Sequence, residues 1–306
     1  MFSYIARRLA IAVPTVLGAA TVSFSFMRLI PGDPAVLMAG LQATPEQIAR
    51  LRTQFGLDGS ILEQYVTYMG QLLRGNLGTS IRTGQSVLHE IASRAQATIE
   101  LALLSIAIAI LLGGVIGLVS ALRRGTILDT SLSVFAVFGV SMPVYWIGLL
   151  LIIVFAVHLR WLPAAGSTAP FAIVLPAVTL SLFTAGFVAR QTRSAMLEVL
   201  RQDYIRTARS KGVPRSAVVL KHGLRNAALP VVTIIGLQFG QLLGGAILTE
   251  SIFAWPGMGR LVVDSLAARD FPVVQGTVFV FAITLILVNL LTDVSYAFID
   301  PRIRYD

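Results

Sequence analysis

The stretch Tyr204-Ile205-Arg206-Thr207-Ala208-Arg209-Ser210-Lys211-Gly212, followed by Lys221-His222-Gly223-Leu224-Arg225-Asn226-Ala227-Ala228-Leu229-Pro230, decides how this chain is read. It is a basic loop held between two intensely apolar segments, 171–189 and 227–249. The spacing predicts one helix from Ser194 to Lys211, with Leu197, Leu200, Tyr204 and Ala208 near one face and Arg201, Arg206 and Arg209 elsewhere. Gly212 suits a left-handed C-terminal cap, and Pro214 can open the next helix at its first position. Arg215 to His222 then leads back toward the apolar segment. The expected product is a short helix, a sharp corner and a second short helix. Nine basic residues against Glu198 and Asp203 leave the loop 190–226 at +7.

Outward from this loop the chain is a membrane protein. It is 56% hydrophobic and only 13% charged, with a mean hydropathy of +0.79, whereas soluble domains carry about 25% charged residues. A helix needs about 20 apolar residues to cross a hydrocarbon core of about 30 Å. Six segments qualify: 9–27, 98–122, 131–157, 171–189, 227–249 and 273–297. Only Glu100 and Asp293, each near an end, place a charge inside these limits. The expected fold class is therefore an all-α membrane protein of six transmembrane helices, read as one transmembrane domain over residues 1–306.

In a soluble protein the net charge of +9 would point to nucleic acid; here topology accounts for it and nucleic acid is not an expected partner. With the N-terminus cytoplasmic, 15 of the 24 basic residues fall on the cytoplasmic side, among them Arg7, Arg8, Arg123, Arg124, Arg302 and Arg304. The two short external loops hold only Arg160, Arg260 and Arg269. The positive-inside rule thus places both termini in the cytoplasm. A long external segment, 31–96, lies between spans one and two. The first apolar run is longer than a signal-peptide core and is followed by Pro31-Gly32-Asp33-Pro34, so it reads as a retained span. Arg7-Arg8 reads as its cytoplasmic anchor.

The external segment has its own punctuation. Thr44-Pro45-Glu46-Gln47 offers a capping box with proline at the first helical position, and Gly56 offers a stop. A second helix begins near Ile61 with Leu62, Tyr65, Val66, Met69 and Leu73 on one stripe, ending before Gly75. Such helices lie on the membrane or on neighbouring spans, or form an external platform for a partner. Prolines 143, 176 and 230 fall in spans three, four and five. Gly236, Gly240 and Gly244 make a small-residue face for close helix contact.

Several chemistries are excluded. There is no cysteine, hence no disulfide and no thiolate metal site. The only lysines, Lys211 and Lys221, are followed by glycine and histidine, so no P-loop exists to bind ATP. His89-Glu90 lacks the second histidine of a zinc-protease helix, and His158 and His222 stand alone. Gly139-Val140-Ser141-Met142 matches the nucleophile motif of intramembrane serine proteases, yet spans four to six hold no histidine to act as base. No catalytic, metal or cofactor site is expected in this chain.

What remains is the loop. One reading is a basic segment touching anionic headgroups, at about 1 kcal/mol for each charge. Against it, Ala208, Ser210 and Gly212 stand where a lipid-facing helix would place bulky apolar side chains. Small residues at a corner suit insertion into a cleft of another protein. A stand-alone secondary carrier or channel is the principal alternative, although such carriers use ionisable residues at mid-depth. A membrane scaffold is a third.

The wider pattern resembles the permease subunits of ATP-binding-cassette importers, in the dipeptide/oligopeptide/nickel branch. It is carried by Arg7-Arg8-Leu9, Pro14-Thr15 and Pro31-Gly32-Asp33-Pro34-Ala35, then by Gly56-Leu57-Asp58, Gln64-Tyr65 and Leu77-Gly78-Thr79-Ser80. Ser141-Met142-Pro143-Val144-Tyr145-Trp146-Ile147-Gly148 and Trp161-Leu162-Pro163-Ala164-Ala165-Gly166 bracket the third span. Glu250-Ser251-Ile252-Phe253, Trp255-Pro256-Gly257-Met258-Gly259-Arg260 and Arg269-Asp270-Phe271-Pro272 complete it. The resemblance implies a type I importer-like fold in a bacterial or archaeal inner membrane. It also implies a second, homologous permease subunit, two ATPase subunits that bind the ATP and magnesium, an external solute-binding protein and surrounding lipid. Peptides are the implied cargo, with nickel complexes, glutathione, opines and haem handled by similar subunits; no substrate-binding residue is assigned.

In that family the basic loop is the coupling element that docks on the ATPase. The resemblance assigns this role to Tyr204, Arg206, Thr207, Ala208, Arg209, Ser210, Lys211 and Gly212. Arg206-Thr207-Ala208 stands where the superfamily has Glu-Ala-Ala, and His222-Gly223-Leu224-Arg225 keeps only the leucine of the later pattern. Basic and shape-based contacts are expected in place of an acidic ion pair.

Overall fold

A computed structural model describes residues 2–29, 33–40, 43–54 and 56–299; the readings made at Pro31-Gly32, Arg302 and Arg304 lie outside them. Every regular element among these residues is helical, and the β contact among them is an isolated bridge between Thr79 and Ser86. In chain order the helices are α1 (Phe2–Leu29), α2 (Pro34–Ala39), α3 (Pro45–Gln54), α4 (Ile61–Leu73), α5 (Val87–Leu122), α6 (Ile127–Ser141) and α7 (Val144–Leu151). There follow α8 (Val174–Val199), α9 (Asp203–Ser210), α10 (Arg215–Ala217), α11 (Arg225–Ile252), α12 (Met258–Ala267) and α13 (Phe271–Ile299). Wider, π-type turns continue α7 over Ile152–His158 and join α10 to α11 over Val218–Leu224.

Four helical stretches among the described residues are long and apolar enough to cross a membrane: Val87–Leu122, Val174–Val199, Arg215–Ile252 and Phe271–Thr292. A fifth arises if α6 and Val144–His158 are counted as one bent span, and α1 adds a shorter apolar run, Ala10–Ser25. Three expectations change. The third span, read as continuous over 131–157, breaks at Met142-Pro143, where its halves meet at 107°. Pro143 has no N–H and forces its predecessor out of the helical region; Met142 sits at φ −84°, ψ 136° and Pro143 itself at ψ 132°. Two consecutive extended residues break a helix where one proline would only kink it. The helix of the fourth span does not stop at residue 189 but runs to Val199, carrying Arg190 and Arg193 inside the helix. The single helix expected from Ser194 to Lys211 is interrupted at Leu200-Arg201-Gln202, where the backbone closes tight turns onto Met196, Glu198 and Val199. No glycine or proline marks this break, so only tertiary packing decides it.

The chain divides into two compact units, one built on Ile99–Trp255 with the stretch beginning at Leu287, the other on residues 2–98 and 256–286. The first is centred on α8, whose backbone is approached closely from several sides. A methyl group added to Gly113 of α5 would lie 2.6 Å from the Ala185 carbonyl, and one added to Gly117 would run into the Ala189 carbonyl and Thr192. Gly139 of α6 packs on the Leu182 carbonyl, and Gly245 of α11 on the Leu180 side chain. The small-residue face expected at Gly236, Gly240 and Gly244 is split between its two ends. Gly236 packs on Thr292, whereas nothing lies near Gly244. Toward Val199 the unit closes over Ala121, Ala195, Met196, Val219 and Ala227.

One ion pair ties three helices of this unit together. Arg193 of α8 donates to both carboxylate oxygens of Asp129 on α6, at 2.8 and 2.9 Å. The same carboxylate accepts from Ser120 Oγ of α5 at 2.8 Å and from the Gly125 N–H at 3.0 Å. Asp129 is buried and all its oxygens are satisfied, the condition under which a buried charge is tolerated.

In the second unit Val87 and Ile91 of α5 pack with Met258 and Leu261 of α12 and Val273 of α13. Arg269 closes α12 in the left-handed region, at φ +57°. The next residue, Asp270, accepts from Ser80 Oγ at 2.5 Å and from the Ile81 and Arg82 N–H groups at 3.2 and 3.3 Å. The motifs Leu77–Ser80 and Arg269–Pro272, far apart in the chain, are thus two halves of one clasp. The Thr44–Gln47 capping box forms as expected, each partner bonding the other's backbone. A second box joins Ser60 and Glu63 at the start of α4, and the Ser60 backbone N–H, then its hydroxyl, holds the Glu63 carboxyl below its ordinary range. The stripe expected on α4 is only partly used. Tyr65 and Tyr68 stack on Phe24 of α1, and Tyr65 bonds Thr21, while Leu62 and Leu73 remain 71% and 85% exposed.

Gly117→Ala should destabilise the purified protein by about 1–3 kcal/mol through overpacking against α8. Gly114→Ala, which has open space around it, should be neutral or stabilising; thermal melting in detergent compares the two. Asp129→Leu alone, which strands Arg193, should cost on the order of 3 kcal/mol, and Asp129→Leu with Arg193→Met should recover much of the loss.

Candidate functional site

The basic corner is built on α9, Asp203-Tyr204-Ile205-Arg206-Thr207-Ala208-Arg209-Ser210. Eight residues are too few to hold a helix in water, so packing must hold it. That anchor is Ile205, fully buried, beside a half-buried Ala208. Ile205 was not singled out in the sequence, which put Leu197, Leu200, Tyr204 and Ala208 near one face. The signal was present, since Ile205 is the one aliphatic side chain larger than alanine in α9.

The end of α9 is a complete two-bond cap. Gly212 N–H donates to the Arg209 carbonyl at 3.0 Å and Val213 N–H to the Ala208 carbonyl at 3.2 Å. Gly212 occupies φ +76°, which a side chain would strain. Pro214 then sits one residue before α10 rather than at its first position, with ψ 141° turning the chain. The return limb is not a separate short helix. From Arg215 it runs through the π-type turns at Val218–Leu224 directly into α11, and Val218, Val219 and Gly223 are buried. Gly223 lies against Met196 of α8, so the corner is joined to both long helices with little slack.

Of the residues singled out in the sequence, Tyr204, Arg206, Thr207, Arg209, Ser210, Lys211 and Gly212 all stand exposed around this corner. Arg206 and Asp203 approach to 3.8 Å, but both are more than four-fifths exposed, so the pair contributes little. Beneath the corner lies a cavity of about 430 Å³ whose lining includes Leu200, Arg209, Val213 and Arg215. Beside it a second, of about 480 Å³, takes in Arg124, Arg193, Glu198 and Arg201. The surface is thus cationic, rigidly mounted and made of small side chains at its tip. It offers shape and positive charge to a partner and holds no nucleophile–base pair. Among the described residues no group of three histidine or acidic side chains could hold a metal ion.

Residues 113–305 match the family model for binding-protein-dependent transport system inner membrane components, and residues 1–102 match that family's N-terminal model. Among the relatives is the glutathione transport system permease protein GsiC of Salmonella typhimurium, 47% identical over 305 residues and covering all of both chains. The dipeptide transport system permease protein DppB of Escherichia coli K12 is 41% identical over 337 residues, covering all of this chain and 99% of that one. In fold, the chain is similar to the MetNI methionine ABC transporter in an inward-facing form, with a TM-score of 0.57 at 19% identity over 70% of this chain and 97% of that one. An amino acid ABC transporter gives 0.52 at 16% identity, over 71% and 95%. The segments that carry the sequence resemblance are spread along the whole length, and the helical fold accords with them. The chain belongs to the binding-protein-dependent transport system inner membrane components, as a permease subunit of an ABC importer of the dipeptide family.

Proposed function

We propose that this permease forms half of the translocation pathway for di- or oligopeptides or glutathione, and that the α9 corner couples it to ATP hydrolysis on separate subunits. In this reading the chain is a single permease domain with six spans, α1 supplying the first and the bent α6–α7 pair the third. Both termini and the corner face the cytoplasm, which puts the arginines around α9 on the positive inner side. A second homologous permease completes the pathway, two ATPases bind ATP and magnesium, and an external binding protein delivers the solute. The chain itself performs no catalysis.

The observation that carries this reading is the mounting of the corner. It is a short exposed helix with one buried anchor, a two-bond cap, and direct continuity into α11. Such a part moves as a rigid body with the helices it joins. ATPase closure would displace α9 and re-pack α8 against α11, and the differing affinity of the ATPases for the two arrangements would supply the free energy. The relatives named for glutathione and dipeptide transport support the solute class.

Gly212→Pro removes the N–H that caps α9 and cannot adopt φ +76°, so it should abolish ATP-driven uptake while the chain remains in the membrane. Ala208→Trp should do the same. Normal uptake in either variant would remove the corner from the mechanism. The break at Met142-Pro143 is the one feature that favours a stand-alone carrier, since broken spans are common there. Vesicles depleted of ATP but given a proton gradient should show no uptake; solute accumulation in them would overturn the ATP-driven reading.

A further inference from the structure

Helix α8 is enclosed by α5, α6 and α11 except along one strip. That strip opens between α6 and α11 as a groove of about 450 Å³, whose lining includes Ser133, Phe187, Arg190, Gln191, Ser194 and Ile234. Arg190 is exposed in it and, unlike Arg193 one turn on, makes no ion pair or hydrogen bond with any described residue. It is also within a helix long and apolar enough to span the membrane. An arginine on such a helix is costly against lipid and is retained where it meets a water-filled path or an anion. The groove walls are mixed: Ser133, Gln191, Ser194 and the Asp129-paired Arg193 share them with Val137, Phe187 and Ile234, so the Arg190 guanidinium has polar company.

We infer that Arg190 receives a carboxylate of the transported solute, with Gln191, Ser194 and Ser133 available for its neighbouring polar groups. The inference rests on the importer reading above and deepens it. Peptides carry a C-terminal carboxylate and glutathione carries two, so both proposed solute classes present the group that a guanidinium binds in bidentate geometry. The groove volume is within the range of small-solute sites. Arg193 cannot take this role without giving up Asp129.

The chain's lack of cysteine supplies the test. Arg190→Cys is introduced into the complete transporter with its binding protein, reconstituted in liposomes, and uptake of labelled glutathione and of dialanine is measured. Uptake by the unsubstituted complex with and without ATP is measured first and reports on the importer reading alone. Arg190→Cys should lose about tenfold or more in uptake, as expected for removing one charge-assisted contact. Treatment with a cationic aminoethyl thiosulfonate should restore most of it, a neutral methyl thiosulfonate should not, and excess transported solute should slow the modification. Arg190→Lys should retain intermediate uptake, and size-exclusion of the assembled complex confirms folding of each variant. Equal rescue by the neutral reagent would mean a packing role. Modification that solute does not slow would mean that the solute does not contact this position. Either result, or full uptake by Arg190→Cys, overturns the inference.

Discussion

The fold of the larger unit depends on how closely other backbones can approach α8. At Gly113, Gly117, Gly139 and Gly186 the interhelical distance is so short that a single methyl group has no room. In lipid there is no hydrophobic gain from bringing two apolar helices together, so dispersion at close range has to do it. That closeness makes α8 stiff and fixes which of its faces remain uncovered. The ion pair between Arg193 and Asp129 adds direction to this packing, because a bidentate pair also fed by Ser120 and Gly125 admits only one register of α6 against α8.

The corner inherits its rigidity from α8. Met196 meets Gly223, and Ala195, Val219 and Ala227 close the same cluster, so the segments entering and leaving α9 are clamped to each other. Ile205 sets the tilt of α9 on that base, and the cap at Gly212 sets the turn. The exposed arginines add little to stability, since each lies in high dielectric without a strong partner.

The contrast between Arg190 and Arg193 shows how little separates a structural charge from an available one. They are three residues apart on one helix and both border the groove, yet Arg193 is held by Asp129 whereas Arg190 has no such partner. Helical spacing puts them about 60° apart around the axis, given about 3.6 residues per turn. That rotation is enough to bring one guanidinium onto the Asp129 carboxylate and leave the other without a partner.

The membrane class, the apolar helices, the capping box at Thr44, the glycine cap at Gly212 and the membership of a transporter family were all legible in the sequence. Each is local or compositional: hydropathy is a sum, a cap needs four or five residues, and a family motif is a string. The break at Met142-Pro143 was visible as a proline but not as a 107° bend, since the angle depends on what the second half packs against. Nothing local marks the interruption at Leu200–Gln202 or the pairing of Asp129 with Arg193. Nor does anything local join Ser80 to Asp270, 190 residues apart. Those features were decided by tertiary structure alone, because burial and long-range ion pairs depend on which surfaces meet, and short-range spacing carries no record of that.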